Sequence, residues 1–359
     1  MSNTGKKVVV GMSGGVDSAV TSYLLKEQGY EVIGVTLRVW DAGNGEDGKC
    51  CEIDDARRTA EILGIRYHPH NCTSLFTRCV INPFVDAYAN GLTPNPCIEC
   101  NRYVKWEKLL ELMNIFEADY VATGHYAYVD KLSNGRYTVR TADHAAKDQT
   151  YMLYKLTQDQ LKHTLMPLGG LTKEEVRNIA KEAGLPCADK EDSQDICFVE
   201  SGKHPQFIES RTTKDLAEGN FTDEEGNILG RHKGIHHYTV GQRKGLGIAL
   251  GFPAFVLKIC PEDNTVVLGP EFSLTKDEII CRDVNLMSME TLPDSPLPCF
   301  VKTRYHQPVR PASLVRLDDG KVKVLPEASI KGVSPGQSCV FYDKDGYVIG
   351  GGIIDRSSL

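Results

Sequence analysis

Up to residue 125, unbroken apolar runs alternate with stretches whose apolar positions recur every three or four residues. Lys7-Val8-Val9-Val10 and Glu31-Val32-Ile33-Gly34-Val35-Thr36-Leu37 are short and rich in β-branched residues, the pattern of strands buried on both faces. Between them Ala19, Val20, Tyr23, Leu24 and Leu25 fall at helical spacing, and Gly29 offers a left-handed stop. Asp54 to Leu63 predicts a second helix, opened by acidic residues that complement its dipole and ended by Gly64. A further helix is expected over Val104 to Phe116, and Tyr120-Val121-Ala122-Thr123-Gly124 returns as a strand. This alternation predicts an α/β domain with a doubly wound parallel sheet, whose ligands lie beyond the carboxyl ends of the strands. Gly11, Leu37 and Gly124 then share one rim.

The pattern changes later in the chain. Asn134-Gly135 between two alternating runs signals a hairpin, and Thr172-Lys173-Glu174-Glu175 is a capping box opening a helix that ends at Gly184. After Phe221 short strands such as Phe255-Val256-Leu257-Lys258-Ile259 and Thr265-Val266-Val267-Leu268 follow one another, with glycine, proline and Asp-Gly turns between them. Three segments are therefore expected: an α/β domain over 1–200, a small, mostly β central domain over 201–273, and a further all-β segment over 274–359.

Composition narrows the class. With 41% hydrophobic and 25% charged residues the chain is an ordinary folded protein. No apolar run is long enough to span a bilayer, and Met-Ser-Asn-Thr-Gly-Lys-Lys leads into a strand without an apolar leader, so no membrane partner and a cytoplasmic location are expected. A net charge of −7 argues against indiscriminate nucleic-acid binding. Its distribution argues differently: Arg231 to Pro261 and Ser295 to Leu317 contain no acidic residue, while carrying Arg231, Lys233, Arg243, Lys244, Lys302, Arg304, Arg310 and Arg316 among histidines and aromatics. Two such windows in an acidic chain favour an RNA-contacting face over merely solvated surface.

The chemistry begins at Gly11-Met12-Ser13-Gly14-Gly15-Val16-Asp17-Ser18, directly after the first strand. Glycines and serines at a strand-to-helix junction let backbone N–H groups converge on a phosphate, aided by the helix dipole. The run lacks the Gly-Lys-Ser/Thr ending of a Walker A loop. It resembles instead the pyrophosphate loop of ATP pyrophosphatases, which split ATP between its α and β phosphates and adenylate an oxygen.

Twelve cysteines in 359 residues are too sparse for a disulfide scaffold. Cys72, Cys79, Cys260, Cys281, Cys299 and Cys339 sit among apolar neighbours and read as small core residues, and Cys50-Cys51 is an adjacent pair without an assigned role. Cys97 and Cys100 lie in Thr93-Pro94-Asn95-Pro96-Cys97-Ile98-Glu99-Cys100-Asn101, whose prolines predict a stiff, extended loop. Cys197 lies in Ser193-Gln194-Asp195-Ile196-Cys197-Phe198. Two thiols brought together by folding can pass on a sulfur atom, one as a persulfide and one closing a disulfide. Three thiolates can equally hold three irons of a [4Fe-4S] cluster and leave the fourth open to sulfide.

Taken in order, these strings resemble the bacterial tRNA-specific 2-thiouridylases, enzymes that thiolate the wobble uridine of certain tRNAs and carry a domain like the adenine nucleotide alpha hydrolases. The likeness runs over essentially the whole chain and includes Thr123-Gly124-His125-Tyr126, Lys147-Asp148-Gln149, His237-Tyr238-Thr239-Val240-Gly241-Gln242-Arg243-Lys244-Gly245-Leu246-Gly247 and Arg304-Tyr305. The resemblance implies that Gly11 to Ser18, Leu37 and Gly124 hold ATP, with Mg²⁺ offsetting the pyrophosphate charge, helped by Asp17. It implies Cys100 as nucleophile, Cys197 as persulfide carrier, and Asn95, Pro96 and Cys97 against the target base. It also implies an ATP-binding catalytic domain over 1–200, a central tRNA-binding domain over 201–273 and a C-terminal β-barrel over 274–359, with tRNA contacts at Lys147, Asp148, Gln149, Arg304 and Tyr305 and a relay protein or cysteine desulfurase as sulfur donor. The chain departs from the family at Cys97, where many members carry Asp, which puts an acid/base role at that position in doubt. Competing readings are another adenylating enzyme, such as a tRNA lysidine synthase, and a non-enzymatic, ATP-regulated RNA-binding module.

Overall fold

Val8, Val9 and Val10 have no exposed surface, and the sheet is built around them. The computed structural model describes residues 3–40, 53–190, 196–200, 202–248, 250–251 and 253–359. Cys50-Cys51 and Ser193-Gln194-Asp195 lie outside the described residues. The chain forms two compact units: one comprises Met1–Val80, Cys97–Phe198 and Gly346–Val348, the other Ile81–Pro96, Val199–Asp345 and Ile349–Leu359.

The first unit carries strands β1 (Lys7–Gly11), β2 (Glu31–Arg38), β3 (Arg66–Asn71), β4 (Tyr120–Ala122), β5 (Ala127–Lys131), β6 (Tyr137–Thr141) and β7 (Thr164–Leu165). Five of them make an all-parallel sheet in the order β3-β2-β1-β4-β7, with Gly11 level with Val35. Helix α1 (Val16–Glu27) follows β1, and α2 (Ile53–Leu63) follows β2. Val8 and Val10 pack with Leu25 of α1 and Ala56 and Ala60 of α2. Side chains alternate across a strand, so Val9 and Gly11 face the other side, where Leu109 of helix Trp106–Ile115 would lie 3.4 Å from a Cβ on Gly11. Helices thus flank both faces, as the unbroken β-branched runs require. Gly29, at φ +88°, and Gly64, at φ +61°, end α1 and α2 in the left-handed conformation their positions predicted.

One local expectation is corrected. Pro96–Cys100 is helical rather than extended, and it continues through a π-helical turn, Asn101–Lys105, into Trp106–Ile115. Proline costs a helix nothing at its first position, where no N–H is needed. Cys97 and Cys100 therefore ride one helical turn, Cys97 exposed and Cys100 buried.

In the second unit, Gly219–Thr222, Ile228–His232, Phe255–Cys260 and Thr265–Gly269 form a four-stranded sheet. A closed six-stranded barrel follows, made of Ile279–Leu286, Val322–Pro326, Arg310–Arg316, Leu297–Lys302, Ser338–Tyr342 and Val348–Ile354. Its interior includes Cys281, Cys299 and Cys339, small apolar fillers as their neighbours suggested. Burial raises the Cys299 thiol to about 12, so it remains protonated and inert. Among the described residues no helix is long and apolar enough to cross a membrane.

Candidate active site

Beyond the carboxyl end of β1 the chain turns sharply through Ser13 and Gly14, the latter at φ +82°. Ser18 Oγ ties the turn together: it accepts from Ser13 N at 3.1 Å and donates to the Gly15 carbonyl at 3.0 Å. Gly15 N–H donates to Ser13 Oγ at 3.4 Å, and Gly15 begins α1 with no side-chain cap. The other N-terminal amides of α1 have no intrahelical acceptor and keep the helix dipole aimed outward. Behind the loop, Met12 N donates to the Val35 carbonyl at 2.8 Å, and Thr36 Oγ1 donates to the Met12 carbonyl at 2.7 Å. The loop is thereby locked to β2.

A recess of about 190 Å³ opens over this loop. It is lined by Gly11, Met12, Ser13, Asp17 and Ser18 from the loop and α1, by Leu37 from β2, by Gly124 after β4, and by Cys100. The three rim positions read from the sequence therefore converge. Gly14, Gly15 and Val16 shape the turn instead of lining the recess, Val16 being a core residue. Gly124 is held close to α1: a Cβ there would stand 2.8 Å from the Asp17 carbonyl carbon.

Several groups in or beside the recess carried no assigned role in the sequence, and two of them, Tyr126 and Lys173, bond to Asp17. Asp17 Oδ1 accepts from Tyr126 Oη at 2.7 Å and from Lys173 Nζ at 2.7 Å. Lys173 opens helix Lys173–Glu182, so the capping box at Thr172 and Glu175 positions the cation that pairs with Asp17. Lys105, at the end of the π-turn, and Asp17 are the charged side chains in the lining. His125 Nδ1 lies 2.9 Å from Thr123 Oγ1, and its ring is tilted against Trp106 at 5.4 Å. Burial first, and the Lys105 ammonium second, hold His125 far below its ordinary range, down to about 3. It presents a neutral ring to the recess. Only the string Thr123-Gly124-His125-Tyr126 pointed to these groups; the Asp17–Lys173 pair joins positions 156 residues apart and leaves no local signal.

The expected tRNA and base residues fall in different settings. Gln149 lines the recess and accepts from Tyr126 N through Oε1 at 3.0 Å. Asp148 is buried and accepts from Ala142 N, Thr150 N and Thr150 Oγ1, so it braces the loop that presents Lys147. Asn95 and Pro96 belong to the second unit, Asn95 just before the cysteine helix and Pro96 as its first residue. In that unit Arg304 Nη2 donates to the carbonyls of Val240 at 2.9 Å and Gly332 at 2.7 Å, while Tyr305 stacks edge-on with His306.

The structure brings Cys100 to the loop but does not include Cys197 in the lining of the recess. Cys197 is half-buried beside Phe198, whose ring packs against Phe76 at 5.4 Å and Trp40 at 6.4 Å. The sulfurs of Cys97, Cys100 and Cys197 do not converge on a single-ion site. A four-iron cluster spreads its thiolates over separate irons, and three thiols with two on one helical turn remain a donor set of the right kind for it. For Mg²⁺ the recess supplies one carboxylate, Asp17, matching an ion that takes one or two protein carboxylates together with substrate phosphates.

Family models cover most of the chain: a tRNA methyl transferase HUP domain matches residues 6–201, a tRNA methyl transferase PRC-barrel domain residues 205–270, and an aminomethyltransferase beta-barrel domain residues 276–354. The chain is 52% identical over 356 residues to tRNA-specific 2-thiouridylase MnmA of Lachnoclostridium phytofermentans, with 97% of this chain and 99% of that protein covered. It is 49% identical over 358 residues to the protein of the same name from Clostridium perfringens, covering 98% and 99%. Among solved structures, the U34-tRNA thiolase NcsA from Methanococcus maripaludis with its [4Fe-4S] cluster overlaps 58% of this chain and 64% of that one, at 21% identity and a TM-score of 0.38.

Proposed function

The chain belongs to the tRNA-specific 2-thiouridylase family, and from that membership we propose that it uses ATP to replace the C2 oxygen of a wobble uridine in tRNA with sulfur. The observation that carries this reading is the shared recess, whose lining includes both Cys100 and the loop residues Gly11, Met12, Ser13, Asp17 and Ser18.

A uracil carbonyl oxygen is a poor leaving group. Its attack on the α-phosphorus of ATP releases pyrophosphate and leaves AMP on the C2 oxygen. The loop amides and the α1 dipole favour the phosphates, Lys105 adds positive charge, and Mg²⁺ with Asp17 offsets the pyrophosphate when bound. The terminal sulfur of a Cys197 persulfide then attacks C2 and expels AMP, giving a C2–S–S–Cys197 link. The Cys100 thiolate attacks the Cys197 sulfur, closes a Cys100–Cys197 disulfide and releases the 2-thio group. The Cys197 turn must reach Cys100 for this exchange. A thiol reductant resets the disulfide, and a relay protein or cysteine desulfurase reloads Cys197. Wobble bases lie in an exposed loop, where displacing one from its stack costs little. Lys147, Gln149, Arg304 and Tyr305 are the proposed tRNA contacts, Asn95, Pro96 and Cys97 the surroundings of the base, with the N-terminal segment catalytic and the two β segments carrying tRNA. An ATP-dependent tRNA enzyme that needs free thiols belongs in the reducing cytoplasm.

The test is a single-turnover assay with full-length protein, ATP, unmodified tRNA and a persulfide donor, read as 2-thiouridine by mass spectrometry. Cys197→Ser should lose product by at least about 1,000-fold, roughly 4 kcal/mol in barrier, while still releasing pyrophosphate. Full thiolation by Cys197→Ser refutes the relay. The pairing of Cys97 with Cys100 on one turn favours a second reading, in which a [4Fe-4S] cluster on Cys97, Cys100 and Cys197 carries sulfide. Anaerobic iron and acid-labile sulfide assays separate the two: Cys97→Ser loses iron and activity together under the cluster reading and retains activity under the relay.

A further inference from the structure

In the second unit, Glu209 ends helix His204–Glu209, and His236 and His237 sit in the short helical turn Ile235–His237. We infer that Glu209 Oε1, His236 Nε2 and His237 Nε2 form a site for a divalent transition metal of the zinc class, separate from the nucleotide recess. The three ligand atoms all lie within 4.8 Å of one another. Glu209 Oε1 is 3.0 Å from His236 Nε2 and 3.3 Å from His237 Nε2. A tetrahedral ion with bonds of about 2.0–2.1 Å sets its ligand atoms roughly 3.3 Å apart, so these separations need little adjustment to accept one.

As a hydrogen-bonded cluster alone, the arrangement is incomplete. Both imidazoles direct Nε2 at the same carboxylate oxygen, and Nδ1 of His236 is left without a partner although the side chain is only 1% exposed. A buried polar atom without a partner is costly. A cation at the two Nε2 atoms would take both ring lone pairs together with the carboxylate oxygen, leaving each ring's proton on Nδ1. Gly234, at φ +115°, makes room at that spot, since a Cβ there would lie 2.8 Å from His236 Nδ1 and 2.9 Å from the Leu216 carbonyl oxygen.

Two imidazoles and one carboxylate suit zinc and its neighbours better than magnesium or calcium. Glu209 and His237 keep 47% and 22% of their side-chain surface exposed, so water can take a fourth position. The ion would clamp the helix ending at Glu209 to the turn at His236, stabilising this unit on binding.

The decisive experiment uses the full-length chain with Cys97, Cys100 and Cys197 changed to serine, which removes the three candidate active-site thiols as competitors, the absence of a thiolate band then excluding the remaining cysteines. After stripping with a chelator, it is titrated with Co²⁺ and then Zn²⁺. One Co²⁺ per chain, with tetrahedral d–d absorption, no thiolate charge-transfer band and displacement by Zn²⁺, is expected. His237→Ala should weaken Zn²⁺ at least about 100-fold and Glu209→Gln at least about 10-fold, and at one Zn²⁺ concentration the rise in Tm should be smaller in both variants than in the parent. Glu209→Gln alters an exposed side chain and keeps the test valid if a histidine variant fails to fold. No Co²⁺ uptake, or unchanged affinity in both variants, means a hydrogen-bonded cluster only and overturns the inference.

Discussion

Gly124 lines the recess where the chain after β4 comes close to the start of α1. A Cβ there would meet Asp17 C at 2.8 Å and Ser18 N at 2.9 Å, backbone atoms at the start of α1 that can move only with the loop. Gly124→Ala should therefore leave a folded protein whose ATP affinity falls at least about 10-fold, about 1.4 kcal/mol, by calorimetric titration; unchanged affinity would show that the loop and β4 need not approach so closely. His125 makes a second residue-scale case. Its folded pKa is depressed to about 3 from 6.5, so in the window between these values the unfolded chain takes up a proton that the folded site refuses. Stability then falls as the solution is acidified through that window, by at most about 1.4 kcal/mol per pH unit, and is independent of His125 above it. Urea unfolding at pH 7 and pH 5 should show a smaller acid loss in His125→Gln than in the parent, whereas equal losses would contradict a neutral His125.

Among the elements, the helix opened by Thr172 links local sequence to distant chemistry. Thr172 Oγ1 accepts from Glu175 N at 3.1 Å, and Glu175 returns the contact to Thr172 N at 2.7 Å; the next residue, Lys173, reaches Asp17. Thr172→Ala should cost about 1 kcal/mol, seen as a lower Tm, and should also weaken ATP binding through a displaced Lys173. A lower Tm with unaltered ATP affinity would mean that the cap and the recess are uncoupled. The cap, the β-branched strands and the glycine stops were legible because each is a short-range pattern with a short-range cause. The helix holding Cys97 and Cys100 was not: its two prolines suggested extended chain, and the π-turn that rotates Lys105 toward the recess has no sequence period of its own. Asp17 was legible as a loop residue, but its bonds to Tyr126 and Lys173 depend on α1, the segment just before β5 and a later helix coming together. The thiol pair was readable only as two unusual settings, and the structure draws just one of them to the nucleotide loop.

For the whole molecule, a net charge of −7 means that tRNA must be held by local basic clusters working against the overall field. Such binding is driven by counterion release, and its salt dependence counts the phosphates neutralised. Lys147 belongs to the first unit and Arg310, exposed in the second acid-free window, to the other. Arg304, two of whose hydrogen bonds go to the Val240 and Gly332 carbonyls, is partly committed to holding its own unit together; Arg310 is the cleaner probe. If one tRNA is gripped by both units, Lys147→Ala and Arg310→Ala should each lower the slope of log affinity against log salt by about 1, and the double variant by about 2. Fluorescence anisotropy with labelled tRNA between about 50 and 200 mM salt measures this directly. A slope altered by only one variant would confine tRNA binding to that unit, because a cation that touches no phosphate releases no counterion.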